Sequence, residues 1–176
     1  PSWLFMLRGW LRALPHLPPL IWHAHEMIFG YAVAVIAGFL LTAVGNWTKR
    51  ETLIGARLIG LAALWLLGRI AMLTGGHLPR ALPAVVDLAF LPLLGLALSR
   101  PLLASGNRRN YVMLVIVTAL FAANLVVHFD TLGVLADGYA WRACLFAVDV
   151  VLLVILVIAG RVFPMFTRNA TGVESI

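Results

Sequence analysis

The stretch LIWHAHEMIFGYAVAVIAGFLLTAV, residues 20–44, sets the fold class: apart from two histidines, one glutamate and one threonine it is apolar, and it runs for longer than a bilayer crossing requires. A helix rising about 1.5 Å per residue needs roughly 20 mostly apolar residues to cross the hydrocarbon layer. Outward from this stretch the pattern repeats, with apolar runs over residues 53–74, 82–103, 111–129 and 139–163. Lipid offers the backbone no partner, so only helices or closed barrels cross it, and these runs lack the two-residue alternation of barrel strands. The expectation is an all-α, polytopic transmembrane bundle of about five spans, forming a single domain over residues 1–176.

Composition agrees. Hydrophobic residues make up 62% of the chain and charged residues 11%, with a mean hydropathy of +1.00, outside the range of soluble domains. The formal charge of +6 comes from basic residues scattered between apolar runs, so no stripe for nucleic acid is built. The lone Cys144 lies within the fifth run and supports neither a disulfide framework nor a thiolate metal cluster. The chain opens at Pro1 with no charged leader and cleavage site, so no signal peptide is read. The expected context is a piece of a longer protein whose further spans would be partners of this one.

Breaks between the runs are rich in proline, glycine and polar residues. Pro15, Pro18 and Pro19 precede the first span, and residues 1–14, with Trp3, Phe5, Trp10, Arg8 and Arg12, read as the tail of an upstream span or an interfacial helix. Pro92 and Gly95 weaken the third span, and Pro164 is expected to stop or kink the fifth. Alternate connections then collect Lys49, Arg50, Arg57, Arg100, Arg108, Arg109, Arg161 and Arg168 on one side, and Arg8, Arg12, Arg69, Arg80 and Arg142 on the other. The richer side is expected to be cytoplasmic, and the C-terminal end with it.

All five histidines, His16, His23, His25, His77 and His128, fall at the opposite boundary. Imidazole is the commonest metal ligand and an axial ligand of haem iron, which gives such a layer a use. His23 and His25 stand beside Glu26, and residues two apart point about 200° from each other on a regular helix. The two would therefore serve different centres unless the turn is irregular. Glu26, Gly30, Ala34 and Gly38 are spaced four apart, a small-residue seam along which membrane helices approach. His128 closes the fourth span with Asn124 one turn deeper on the same face, a pairing that would orient the imidazole or join helices. The competing reading places these polar groups at the headgroup level, simply solvated. His16 and His77, among prolines and glycines, read as exposed.

Four charges lie within spans: Arg69, Asp87, Arg142 and Asp149. Burial unpaired would cost several kcal/mol, so each needs a partner or water. Arg69 and Asp87 lie near the same boundary on successive spans and are able to pair, while Arg142 and Asp149 share one helix face.

The string from Trp22 to Gly30 (WHAHEMIFG), continued by Gly38 to Thr48 (GFLLTAVGNWT), resembles the NnrS family, and GNRRN at 106–110 and GRVFPMFTRNA at 160–170 are similar to later segments of the same family in the same order. Gly45 stands where the family has proline before Asn46 and Trp47. The resemblance implies a multi-pass protein of the bacterial inner (plasma) membrane that holds haem and copper and serves nitric oxide metabolism, denitrification and the nitrosative-stress response. On that reading His23, His25 and His128 are the metal ligands, Glu26 joins them in cofactor binding, and nitric oxide or a related nitrogen oxide is the small partner. No reaction is assigned. Two other classes stay open: a transporter or proton-conducting protein without a redox cofactor, using Asp87 and Asp149, and a scaffold segment whose polar groups merely pack.

Overall fold

The computed structural model describes Leu4, Arg8 and residues 17–172, with the side chain of Met165 excepted. His16 and the tryptophans Trp3 and Trp10 lie outside the described residues. Five helices are long and apolar enough to cross a membrane, and no strand occurs among the described residues. They are α1 (Pro19–Thr48), α2 (Gly55–Thr74), α3 (Ala81–Ala104), α4 (Val112–Thr131) and α5 (Tyr139–Thr171). Short 3₁₀ turns, Gly75–His77 and Arg108–Asn110, lie between α2 and α3 and between α3 and α4.

α1 starts with proline in its first turn, where a missing N–H costs no helical hydrogen bond. It is not regular: Glu26–Ala32 forms a π-helical segment within it. Beyond that segment Val33–Thr48 returns to α geometry and ends on Lys49 in the left-handed region, φ 54°. The Thr52 hydroxyl then donates to the Leu41 carbonyl at 2.7 Å, folding the connection back on the helix.

The structure corrects one expectation about proline: Pro164 does not stop the fifth span. Pro92 and Pro101 both sit inside an unbroken α3, and α5 runs through Pro164 to Thr171. Each ring removes one backbone hydrogen bond, but the flanking bonds and the packing of apolar neighbours hold the helix together. α5 ends on Gly172 at φ 69°, whose N–H caps the Arg168 carbonyl at 2.9 Å.

The core lies between α1, α3, α4 and α5. Leu40, Val44, Leu94, Leu98, Leu102, Met113, Leu120, Val127 and Ala147 are fully enclosed there. α1 is the central helix, 56% buried over its most apolar window, against 28% for α2 and α5. The peripheral helices turn their other faces, with Leu66, Leu67, Leu152 and Leu156, outward to where lipid belongs. α1 touches α2 through the π-helical segment and packs along α3.

Candidate functional site

The polar residues that the spans carry into the apolar layer converge near one end of the bundle. α1 supplies His25 and Glu26, α2 Arg69, α3 Asp87, and α4 Asn124 and His128. His25, Asp87 and His128 are all buried, and one donor atom from each lies within 4.8 Å of the other two.

Asp87 is the hub. Its Oδ2 accepts from Asn124 Nδ2 at 2.7 Å and meets His128 Nε2 at 2.9 Å and His25 Nε2 at 3.3 Å. Its Oδ1 takes Arg69 Nη2, while Arg69 Nη1 donates to Glu26 Oε1 at 2.7 Å. One guanidinium thus bridges two carboxylates. With neutral imidazoles, two carboxylates against one guanidinium leave one negative charge uncompensated in the cluster.

Close approach depends on Gly30. A Cβ at Gly30 would stand 3.0 Å from Arg69 Nη1 and 3.2 Å from Glu26 Oε2, so the bare backbone makes the seat for the guanidinium. A Cβ at Gly68 would meet the Asp87 backbone at 3.5 Å, an ordinary contact, so α2 and α3 lie close at this point without requiring glycine there. The small-residue seam expected along α1 therefore works at Gly30 and stops there. The π segment changes the register beyond it, leaving Gly38 exposed with nothing within 4 Å of a Cβ.

The π segment also aims the ligands. Successive residues on a regular helix diverge by about 100°, yet His25 and the adjacent Glu26 both serve one cluster. A wider turn beginning at Glu26 accommodates that, and π turns recur at functional sites for this reason. The Trp65 indole N–H donates to the Gly30 carbonyl at 2.9 Å, tying the segment to α2.

Proton accounting shows what the cluster lacks. The Asn124 amide must turn its nitrogen to the Asp87 carboxylate, so its Oδ1 faces His25 Nε2 at 2.9 Å. The other nitrogen, His25 Nδ1, faces Glu26 Oε1 at 3.3 Å. Both ring nitrogens therefore look at acceptors, and a neutral imidazole has one N–H to give. Either a second proton or a metal ion on Nε2 resolves the conflict. In addition His128 Nδ1 and Arg69 Nε are buried without a hydrogen-bond partner, a state that costs about 1–3 kcal/mol per group.

A metal ion fits this donor set. Two imidazole nitrogens and a carboxylate oxygen suit copper, zinc or iron. Bonds of about 2.1 Å at right to tetrahedral angles separate neighbouring donors by roughly 3.0–3.4 Å, and the Nε2 to Oδ2 separations here are 2.9 and 3.3 Å. Glu26 on His25 Nδ1 is the outer carboxylate that metal-bound histidines commonly carry. Haem does not fit between these histidines: their rings pack edge to face with centroids 5.4 Å apart and turn toward one Asp87 oxygen, leaving no slot for a macrocycle.

Of the residues read from sequence, the fold brings together His25, His128 and, as a brace, Glu26. His23 is half-buried on α1 and is not one of the three clustered donors; His77 is exposed in its 3₁₀ turn. Arg69 and Asp87 do pair, as their common depth suggested. What sequence reasoning missed is Asp87 as a candidate ligand and Asn124 as a contact of His25; the signal was an acid and an amide at the depth of the histidines. Arg142 lies over the Tyr139 ring at 5.6 Å, and Asp149 faces out of the bundle. Buried Asp87 and outward Asp149 therefore line no common path through the described residues.

These features define a polytopic helical membrane protein with a buried cluster of two histidines and an aspartate, braced by an arginine and a glutamate. The model of the NnrS family, described as NnrS protein, matches residues 1–176, and the chain belongs to that family. Membership points to a nitric-oxide-related membrane protein. Neither a curated protein nor a solved structure matches the chain.

Proposed function

We propose that the cluster is a copper site of a nitric-oxide-related protein of the bacterial inner membrane, active in nitrosative stress and denitrification. His25 and His128 are its nitrogen donors and Asp87 its oxygen donor. The acceptor surplus around His25 carries the reading, since its Nε2 faces oxygens at 2.9 and 3.3 Å and its Nδ1 faces Glu26 at 3.3 Å, more acceptors than one N–H can meet, and a metal ion on Nε2 meets the surplus. A bound copper ion would supply one-electron redox chemistry and a coordination position for a diatomic such as nitric oxide. The chain's own part is to hold the donors. Asn124 orients Asp87 and His25, Arg69 fixes the second Asp87 oxygen, and Glu26 sets the His25 ring. Haem rests on family resemblance alone, and His23, outside the three-donor group, is its candidate ligand.

The unequal distribution of basic residues supports a periplasmic site end and a cytoplasmic arginine-rich end, with the C-terminal end of α5 beside it. The test is metal and optical analysis of the purified chain expressed with copper and haem supplied. His25→Ala and His128→Ala are expected to bring copper to background while insertion persists, and His23→Ala to remove the Soret band and spare the copper. Absence of copper from the unsubstituted protein, or full copper in both cluster variants, would end the copper assignment. A Soret band that survives His23→Ala would end the haem assignment alone.

A further inference from the structure

At the end of the bundle opposite the cluster, a cleft of about 580 Å³ opens between α2, α3 and the connection that follows α1. Its walls are apolar, with Leu61, Leu93 and Leu96, and Arg57 and Arg100 stand at its rim beside Glu51. Thr52 and Leu53 are shared with a second cavity of about 520 Å³ along α1, which adds Arg50. That cavity shares Gly38, Leu41 and Leu58 with a third, about 170 Å³, that ends at Trp65 and Phe90. The three cavities thus adjoin one another through shared walls, from the arginine-rich rim toward the middle of the span, and are treated together as one groove. Its cause is local: α1 meets α2 through the π segment, and past that contact Gly38, with no atom within 4 Å of a Cβ, leaves the space between the two helices open.

An apolar groove between membrane helices is open to acyl chains, and its rim sets three guanidinium groups, Arg50, Arg57 and Arg100, against the single carboxylate of Glu51. The occupant that matches both ends has a long apolar tail and an anionic head. Arginine pairs with phosphate oxygens through its planar fork, and basic pockets between helices at the membrane surface select anionic lipids. We propose that this groove binds one anionic phospholipid, with its phosphate at Arg57 and Arg100 and an acyl chain lying toward Trp65 and Phe90. The chain tip would then rest against the indole that holds the Gly30 carbonyl, so the lipid supports the π segment from below.

Quenching of tryptophan fluorescence by lipids brominated in their acyl chains tests this, using the whole chain in nanodiscs. Phosphatidylglycerol and phosphatidylcholine with identical brominated chains are compared, and Trp65→Phe identifies the signal of that residue. The anionic lipid is expected to quench Trp65 at mole fractions on the order of 5- to 30-fold lower, the preference that one to two effective arginine contacts impart. Arg57→Gln with Arg100→Gln should bring that ratio close to one and leave quenching by phosphatidylcholine unchanged. Should the double variant not fold, about 1 M salt, which shortens the screening length to roughly 3 Å, should abolish the preference in the unsubstituted protein. Equal quenching by the two lipids, or a preference that survives both the substitutions and the salt, overturns the proposal. So does absence of Trp65 quenching by either lipid, which would mean that protein fills the groove.

Discussion

At the scale of single residues the cluster turns on Asp87, whose two oxygens meet side chains from α1, α2 and α4. Asp87→Asn keeps the shape but sets an amide where the Arg69, Asn124 and His128 donors need acceptors. Arg69 keeps Glu26 as its counter-ion, but each buried donor left without an acceptor costs about 1–3 kcal/mol; thermal unfolding in detergent should show that loss, and copper titration a fall in affinity. Equal copper affinity in the two proteins would remove Asp87 from the donor set. Gly30→Ala acts more gently, because a methyl 3.0 Å from Arg69 Nη1 displaces the end of a flexible side chain. It should cost about 1–3 kcal/mol, the usual range for overpacking, and Arg69→Met combined with it should relieve the added strain; an unrelieved loss would place the clash elsewhere. Much of the cluster's raw material was visible in sequence, because histidines and charges stand out within apolar runs and their depth follows from span boundaries. Which of them meet was not visible. His23 and His25 look alike as letters, and helix rotation alone decides that His25 faces inward.

That rotation belongs to the element scale. The runs predicted at residues 53–74, 82–103 and 111–129 agree with α2, α3 and α4 to within two residues at each end, since hydropathy reports where lipid begins and ends. It does not report hydrogen-bond register, so the π segment Glu26–Ala32 left no trace in the sequence pattern, and continuation through Pro164 depends on neighbouring backbone bonds that composition cannot show. The segment's role yields a direct test. Tyr31 lies within it and is 65% exposed, so removing this residue deletes little packing. A π turn holds one residue more than an α turn, so that deletion would restore a regular helix and keep the rotation of its two flanks, whereas one alanine inserted after Tyr31 would turn the start of α1 by about 100° relative to the rest. In the insertion variant His25 would leave Asp87, and copper affinity should fall at least about tenfold, the scale seen when a ligand's supporting contacts are lost, while the protein still enters the membrane. Full affinity after the insertion would show that the rotation of α1 does not aim His25.

For the molecule as a whole, the placement of the cluster at one end and of the arginines at the other defines an axis across the membrane. An odd number of spans puts the start of α1 and the end of α5 on opposite faces, so the orientation of a single loop determines all the others. Eight Lys and Arg residues on one side against five on the other support the proposed orientation of that axis. The imbalance is modest, and helices hold residues of both sets, Arg69 and Arg142 of the five and Arg57, Arg100, Arg161 and Arg168 of the eight. Single cysteines check it in a Cys144→Ser background, a small change at a buried position. Asp137→Cys, exposed between α4 and α5, should react with a membrane-impermeant maleimide added to spheroplasts, and Arg108→Cys, exposed between α3 and α4, should react after permeabilisation alone. The reverse pattern would turn the cluster toward the cytoplasm and leave the helix count intact. Labelling of both sites from the same side would be the more serious result, because α4 would then fail to cross, and His128 could not reach Asp87 from a helix lying outside the bilayer.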